Sequence, residues 1–298
     1  MAVGDQAGQG SAPRTAPRTT AAYLQVGPLA LVFLAFFIVP MVLVVVVSFF
    51  DYQAYQILIP DFTTQNYDDV FSSDVTYRTY WKTAQFCLIV WAITLVLGFT
   101  IAYFLAFHVK TLTWQIALFL LCTIPFWTSN VIRMISWIPL LGRNGLVNQA
   151  LLSMGIVEEP QEWLLYSDFS VILGFVHLYT LFMIVPIFNS MLRIDKSLIE
   201  AAYDAGATGW QTLWNVIIPL CKPGIAIGSI FVLTIVMGDF VTVNVLGGGQ
   251  IASIGKAIWT ELSYLQFPPA AANAIVLLGV VILMIVALMR IVDIRKEL

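Results

Sequence analysis

The side chains able to do chemistry fall into two groups in this chain. The first is residues 200–219, EAAYDAGATGWQTLWNVIIP, where Glu200, Ala201, Ala202 and Asp204 are followed by Gly206 and Ala207. Lys196 to Ala205 favours helix, and Ala201, Ala202 and Ala205 offer a small face that another chain can approach closely. Gly206 can take φ > 0 and stop that helix. Thr208 can cap a second one, in which Trp210, Leu213, Trp214 and Ile217 recur at helical spacing. The product is a helix–turn–helix with a protruding first arm, the rigid shape a partner needs to push on. An ordinary loop with an Ala-rich helix is the plainer account.

The second group lies among apolar residues, where an ionisable side chain is costly and invites a functional hypothesis. Asp239, between Gly238 and Phe240, is placed to line a translocation cavity and attract an ammonium group. The alternative is an ion pair with Arg133 that only holds a helix bundle together. Trp127, Asn130, Thr242 and Asn244 are further candidates, since aromatic faces favour cations and amides can hydrogen-bond an amine. Trp127 equally fits an interfacial anchor. His177, beside Tyr179 and Thr180, reads as a hydrogen-bonded packing residue or a proton relay.

No Ser/His/Asp, Cys/His or HExxH set is present, so no catalytic residue and no enzymatic role is assigned. Cys87, Cys122 and Cys221 sit in or beside apolar segments without CxxC spacing, which indicates packing rather than a disulfide framework or a metal site. Residues 249–257, GQIASIGKA, approach a phosphate-binding loop. They have one residue too many between the glycines, and Ala257 where a Mg²⁺-ligating hydroxyl belongs. The chain is expected to hold no cofactor of its own.

The elements that position these residues follow from composition. Of 298 residues 60% are hydrophobic and 10% charged, against about 25% charged in soluble domains. A membrane-crossing helix needs roughly 20 apolar residues. Six stretches qualify, near 28–50, 84–107, 114–139, 169–190, 213–238 and 271–292. Continuous runs such as LVFLAFFIVPMVLVVVVSFF exclude an outer-membrane barrel. The expected class is an all-α membrane protein with six transmembrane helices.

With the N-terminus inside, nine of the 14 Lys and Arg fall on the cytoplasmic side, as the positive-inside rule expects. Both termini are then cytoplasmic. Residues 1–22 read as a disordered tail and 23–298 as one six-helix domain containing the polar loop 191–222. Segments 51–83 and 140–168 lie outside. Pro125 and Pro139 should bend or end the third helix, and the fifth is expected to begin after Lys222-Pro223-Gly224. LVNQALLSMG has helical spacing suited to a membrane surface. Gly224 and Gly228 form a GxxxG step for close helix contact.

The spacing from Glu200-Ala201-Ala202 through Gly206 to Pro219 resembles the EAA loop of ABC importer permeases. PFWTS at 125–129, LGRNGLVN at 141–148 and MGDFVTVNVLGGG at 237–249 resemble the spermidine/putrescine-type permeases in particular. The resemblance covers about residues 28–292. It departs from the usual pattern in having Val216 and Ile218 where Ile and Leu are common. It implies a type I, MetI-like permease fold in a bacterial inner membrane, with Glu200 near basic residues of an ATPase groove and Gly206 setting the bend. It also implies an ATPase dimer carrying the ATP and Mg²⁺, a second homologous permease, a periplasmic solute-binding protein and surrounding lipid, with no nucleic acid. The implied cargo is a polyamine. Opines, γ-aminobutyrate and aminophosphonates remain open, and an ion-coupled secondary transporter is the alternative of another class.

Overall fold

The computed structural model describes residues 19–53 and 56–291. Residues 1–18 of the expected tail and the last seven residues of the C-terminal segment lie outside the described residues. The chain divides near Val46 into two units. The first holds α1 (Thr19–Phe33), a π-helical turn at Leu34–Ile38, and the greater part of α2 (Val39–Val47). Val26–Val47 is long and apolar enough to cross a membrane. Helix therefore begins at Thr19, inside the stretch read as tail. The π turn has a local cause. Pro40 has no N–H to give the carbonyl of Phe36, and the ladder widens just before it, with Val39 donating to Leu34.

The second unit opens with a hairpin that the sequence reading missed. Strand β1 (Phe50–Gln53) pairs antiparallel with β2 (Gln56–Phe62), in the segment read only as an outer loop. It leads into α3 (Gln65–Ser72), where the buried Asn66 amide donates to the carbonyls of Ser48 (3.0 Å) and Phe50 (2.8 Å). Ser73 then caps α4 (Asp74–Tyr103), accepting from the Thr76 N–H at 3.2 Å. The second apolar helix thus starts ten residues before its apolar run, and a π turn at Phe104–His108 extends it to 35 residues.

The expected third span is broken. Helix α5 (Leu112–Thr123) passes into a 3₁₀ turn at Ile124–Trp127, and α6 (Asn130–Leu141) departs at 89°. Pro125 sits in the first turn of that 3₁₀ piece, and Thr128 is extended. Pro139, by contrast, is accommodated within α6. Helix α7 (Leu146–Ser153) follows. The fully buried Asn148 pins its loop, exchanging hydrogen bonds with the Gln161 backbone and donating to the Gly142 carbonyl.

Four further helices complete the path through the second apolar half: α8 (Asp168–Leu192), α9 (Lys196–Asp204), α10 (Gly209–Thr212) and α11 (Ile218–Gly238). A reciprocal Ser167–Ser170 box starts α8. A π turn at Leu213–Ile217 joins α10 to α11 two residues before Pro219, repeating the arrangement before Pro40. The helix is continuous over Gly209–Gly238, so Lys222-Pro223-Gly224 lies inside it and does not begin it. Short α12 (Val241–Leu246) and α13 (Ile254–Ser263) precede α14 (Phe267–Ile291). Among the described residues five helices are long and apolar enough to span, or six when the bent pair is taken as one span.

The core is the junction of α4, α8 and α11, filled by Phe86, Val90, Phe175, Met183, Ile187 and Val232. Lipid-facing and core-facing residues are alike in apolarity here, so close contact must come from small residues. A Cβ on Gly98 would stand 2.8 Å from Met183 Cγ, and one on Gly228 would stand 2.7 Å from Met183 Sδ. Met183 is thereby wedged between two glycines of different helices. Gly224 packs just as tightly, with its hypothetical Cβ 2.9 Å from Ser190 Cβ. The GxxxG step at Gly224 and Gly228 is a packing feature.

Replacing Gly228 by Leu should overpack this junction and cost about 1–3 kcal/mol. Thermal unfolding in detergent is expected to show a lower midpoint for Gly228→Leu. A similar substitution at Gly279, where a Cβ meets nothing within 4 Å, should change little.

Candidate functional site

The loop between α8 and α11 is built by capping. Asp195 caps α9, its carboxylate accepting from the Ser197 N–H at 3.0 Å, and that bond holds the Asp195 carboxyl below the usual range. The far end is a full Schellman motif. Gly206 at φ +83° donates to the Tyr203 carbonyl (2.9 Å), and Ala207 donates to the Ala202 carbonyl (3.0 Å). Thr208 and Gln211 then cap α10 reciprocally.

This geometry presents Glu200, Ala201 and Asp204 to solvent, with Ala202 and Ala207 half-buried. A groove of about 480 Å³ separates α9 from the end of α4, lined by Tyr103, Phe107, Lys110, Ile199, Glu200 and Tyr203 among others. The outer face of the arm is therefore free, while Ile199 packs its inner face against the core. The expected apolar stripe is split. Ile217 is buried and Leu213 half-buried, while Trp210 (68% exposed) and Trp214 (53% exposed) face outward with ring centroids 5.7 Å apart. The π turn at Leu213–Ile217 adds a residue to the turn, so an even 3.6-residue period cannot hold the stripe on one face.

The polar residues of the bundle gather where the opposite end of α11 meets the middle of α8. Chain direction turns at Gly238, and the Asp239 carboxylate accepts hydrogen bonds from the Thr242 N–H (2.9 Å), the Thr242 hydroxyl (2.7 Å) and the Tyr179 hydroxyl. Thr242 and Tyr179 are buried, and Asp239 is half-buried. A carboxylate offers about four acceptor positions, so three bonds orient it and leave one free.

Arg133 forms no ion pair with Asp239 among the described residues; the ion pairs there are Lys82–Asp168 and Arg143–Glu162. Its guanidinium donates instead to the Asn130 side chain one turn earlier on α6. The reading of Asp239 and Arg133 as a structural pair is thus replaced by a Tyr179–Asp239–Thr242 network. Arg133 lies within electrostatic reach of Tyr179 and His177. Trp137, the next turn of α6, donates its indole N–H to His177 Nδ1 at 3.1 Å, with the rings edge to face. His177 is hydrogen-bonded, in keeping with its packing reading.

Asn130, Arg133, Asp239 and Thr242 therefore fall on facing elements. Trp127, 83% exposed, and the exposed Asn244 stand apart, with no hydrogen bond to the others. Tyr179 and Trp137 belong to the cluster and were not singled out from sequence, because α8 and α6 carry them among apolar neighbours without a motif. Helix α13 braces the same corner. A Cβ on Gly255 would lie 2.8 Å from the Gly238 carbonyl, and Trp259 stacks on Phe240 at 4.5 Å.

No family model matches the chain. Curated relatives do. The chain is 33% identical to the spermidine/putrescine transport system permease protein PotB of Haemophilus influenzae, over 76% of this chain and 78% of that one. It is 34% identical to PotB of Escherichia coli, over 77% and 82% respectively. The inner membrane ABC transporter permease protein YdcU of Escherichia coli is 26% identical over 72% and 70%. Among solved structures, a chain of a bacterial alginate ABC transporter, in complex with an alginate pentasaccharide-bound periplasmic protein, superposes with a TM-score of 0.67. It has 18% identity and covers 94% of this chain and 96% of its own. The architecture is that of an ABC transporter permease.

Gly206 has open space around a hypothetical Cβ, so only its backbone conformation restricts it. Gly206→Ala should cost about 1 kcal/mol from the left-handed conformation alone. Amide exchange across residues 196–207 is expected to rise about fivefold, and Gly206→Asn should recover part of the protection because Asn tolerates this region.

Proposed function

The chain belongs to the spermidine/putrescine-type ABC transporter permeases, and on that premise we propose that it is a membrane-spanning subunit of an ATP-driven polyamine importer. The observation that carries this reading is 33–34% identity to PotB proteins over more than three quarters of both partners. In the proposed machine ATP is bound and hydrolysed on a separate ATPase dimer. A second, homologous permease completes the translocation path, and a periplasmic binding protein delivers the solute. The excess of Lys and Arg at the α9 end of the bundle supports a cytoplasmic position for that end, with both termini on the same side of a bacterial inner membrane.

Helix α9 is the proposed coupling element. Its exposed Glu200, Ala201 and Asp204 form the contact face, Ala202 and Ala207 back it, and Gly206 fixes the angle at which the chain returns. Closure of the ATPase pair would carry α9 and, through it, α8 and α11, switching the cavity between inward- and outward-facing states. At the other end of α11 Asp239 is the proposed ammonium acceptor. Its oriented carboxylate keeps one acceptor position free, and Thr242 and Tyr179 hold it in place. Asn130 and Arg133 contribute to the polar wall on α6, and Trp127 and Asn244 are assigned more outlying places along the path.

Asp239→Asn keeps the shape and removes the charge. A charge-assisted hydrogen bond is worth about 1.5–3 kcal/mol, so spermidine uptake below saturation should fall roughly ten- to a hundredfold in the assembled importer. Normal uptake with normal assembly would exclude the role. At the other end, Glu200→Ala combined with Gly206→Pro should abolish recovery of the ATPase in a pull-down. Its undiminished recovery would rule out coupling through α9.

A further inference from the structure

Helices α13 and α14 meet at a pair of polar side chains that neither the coupling loop nor the solute path uses. The Asn273 amide N–H donates to one carboxylate oxygen of Glu261, Oε1, at 2.8 Å. The other Glu261 oxygen, Oε2, and the Asn273 carbonyl oxygen, Oδ1, are both buried and have no hydrogen-bond partner. Asn273 as a whole is only 6% exposed. Two buried acceptors without a donor, on groups already joined by one hydrogen bond, are costly unless something supplies a hydrogen.

A single proton satisfies both. If Glu261 carries it on Oε2, that hydroxyl can donate to Asn273 Oδ1 while Oε1 continues to accept from Asn273 Nδ2. Carboxylic acid and primary amide then close a cyclic, two-bond pair. We propose that Glu261 and Asn273 form a buried proton-binding site, in which the neutral acid form of Glu261 clasps α13 to α14.

The surroundings agree. Burial pushes the Glu261 carboxyl above the ordinary carboxylate range, with the Asn273 hydrogen bond opposing it more weakly. On α4, Tyr80 faces the site and donates its hydroxyl to the Asn273 backbone carbonyl at 3.2 Å; it offers no positive charge. On α13 itself Lys256 is engaged with the Ile251 carbonyl at 3.2 Å. The start of α14, FPPAAANAIV, has no titratable side chain, and α12 has none. Where α11 meets α12 the charged group is Asp239, occupied by Tyr179 and Thr242. No cation among these groups stabilises an ionised Glu261.

The consequence is a pH dependence of definite sign. The folded chain holds this proton above the pH at which a solvated glutamate releases it. Over that interval the unfolded chain binds fewer protons, so the clasp is complete at low pH and is lost as pH rises through the folded-state pKa. Because α13 also braces Gly238 and Phe240, loss of the clasp would loosen the support behind Asp239.

The test uses the full chain in its assembled complex in lipid nanodiscs. Isotope-edited infrared spectra of the wild type should show a protonated carboxyl band that persists above the pH at which a solvated glutamate ionises, disappears as pH rises further and is missing in Glu261→Gln. Gln can form the same two-bond pair with Asn273 and never ionises. Wild type should therefore lose about 2–4 °C of melting temperature, or more, as pH rises through that transition, while Glu261→Gln stays level. Should the Gln variant fail to assemble, Glu261→Asp keeps an acid at the position and is expected to shift the band. The proposal is overturned if the wild-type band is lost at the pH at which a solvated glutamate ionises. It is equally overturned if its stability rises with pH, or if Glu261→Gln assembles yet melts well below wild type at acid pH.

Discussion

A helix in lipid has no water to satisfy its polar atoms, and this constraint orders the rest of the structure. Threonines in the spanning helices return their hydroxyls to the carbonyl four residues earlier, as Thr83 does to Thr79 and Thr94 to Val90, both at 2.8 Å. Trp91 reaches across to the Ser229 hydroxyl at 2.8 Å, and the Cys87 thiol to the Leu233 carbonyl at 3.9 Å. Where proline removes a backbone donor, at Pro40 and Pro219, the ladder widens into a π turn beforehand and does not break. The same constraint explains why Asp239 accepts three hydrogen bonds, and why an orphaned pair such as Glu261 and Asn273 is informative.

Two helices join the ends of the molecule that carry its chemistry. Helix α8 bears Tyr179 near its middle and runs on through Asp195 into α9. Helix α11 follows α10 and ends at Asp239. The loop that carries α9, the proposed coupling element, thus connects the same two helices that share the Tyr179–Asp239 hydrogen bond, which joins the middle of α8 to the end of α11. Met183, locked between Gly98 and Gly228, holds α4, α8 and α11 at contact distance midway. In the proposed mechanism a displacement of α9 would reach the polar corner through continuous, closely packed helices, with no flexible relay.

The capping elements of the coupling loop were legible in sequence, because each rests on neighbours in the chain. Gly206, Thr208 and the alanines act within one or two turns, so residue type and spacing specify the outcome. The spans were legible for the same reason, as length and apolarity are local. The 89° break near Ser129 was harder, since Pro125 and Pro139 look equivalent in sequence, yet only the first marks the break. The hairpin at residues 50–62 was missed because a Tyr- and Asp-rich stretch reads simply as polar.

The amino-acid sequence by itself determined the class of machine: a chain too apolar to be soluble, with six potential spans and one loop whose cap residues build a protruding arm. Partner choice among distant polar groups belonged to the tertiary structure alone. Arg133 and Asp239 looked complementary on charge, but Tyr179 and Thr242 took the carboxylate, and Arg133 turned to Asn130. Charge sign is written in the sequence. Which of several donors reaches a carboxylate depends on helix rotation and on the bend at residues 128–129, which are set by packing between segments far apart in the chain.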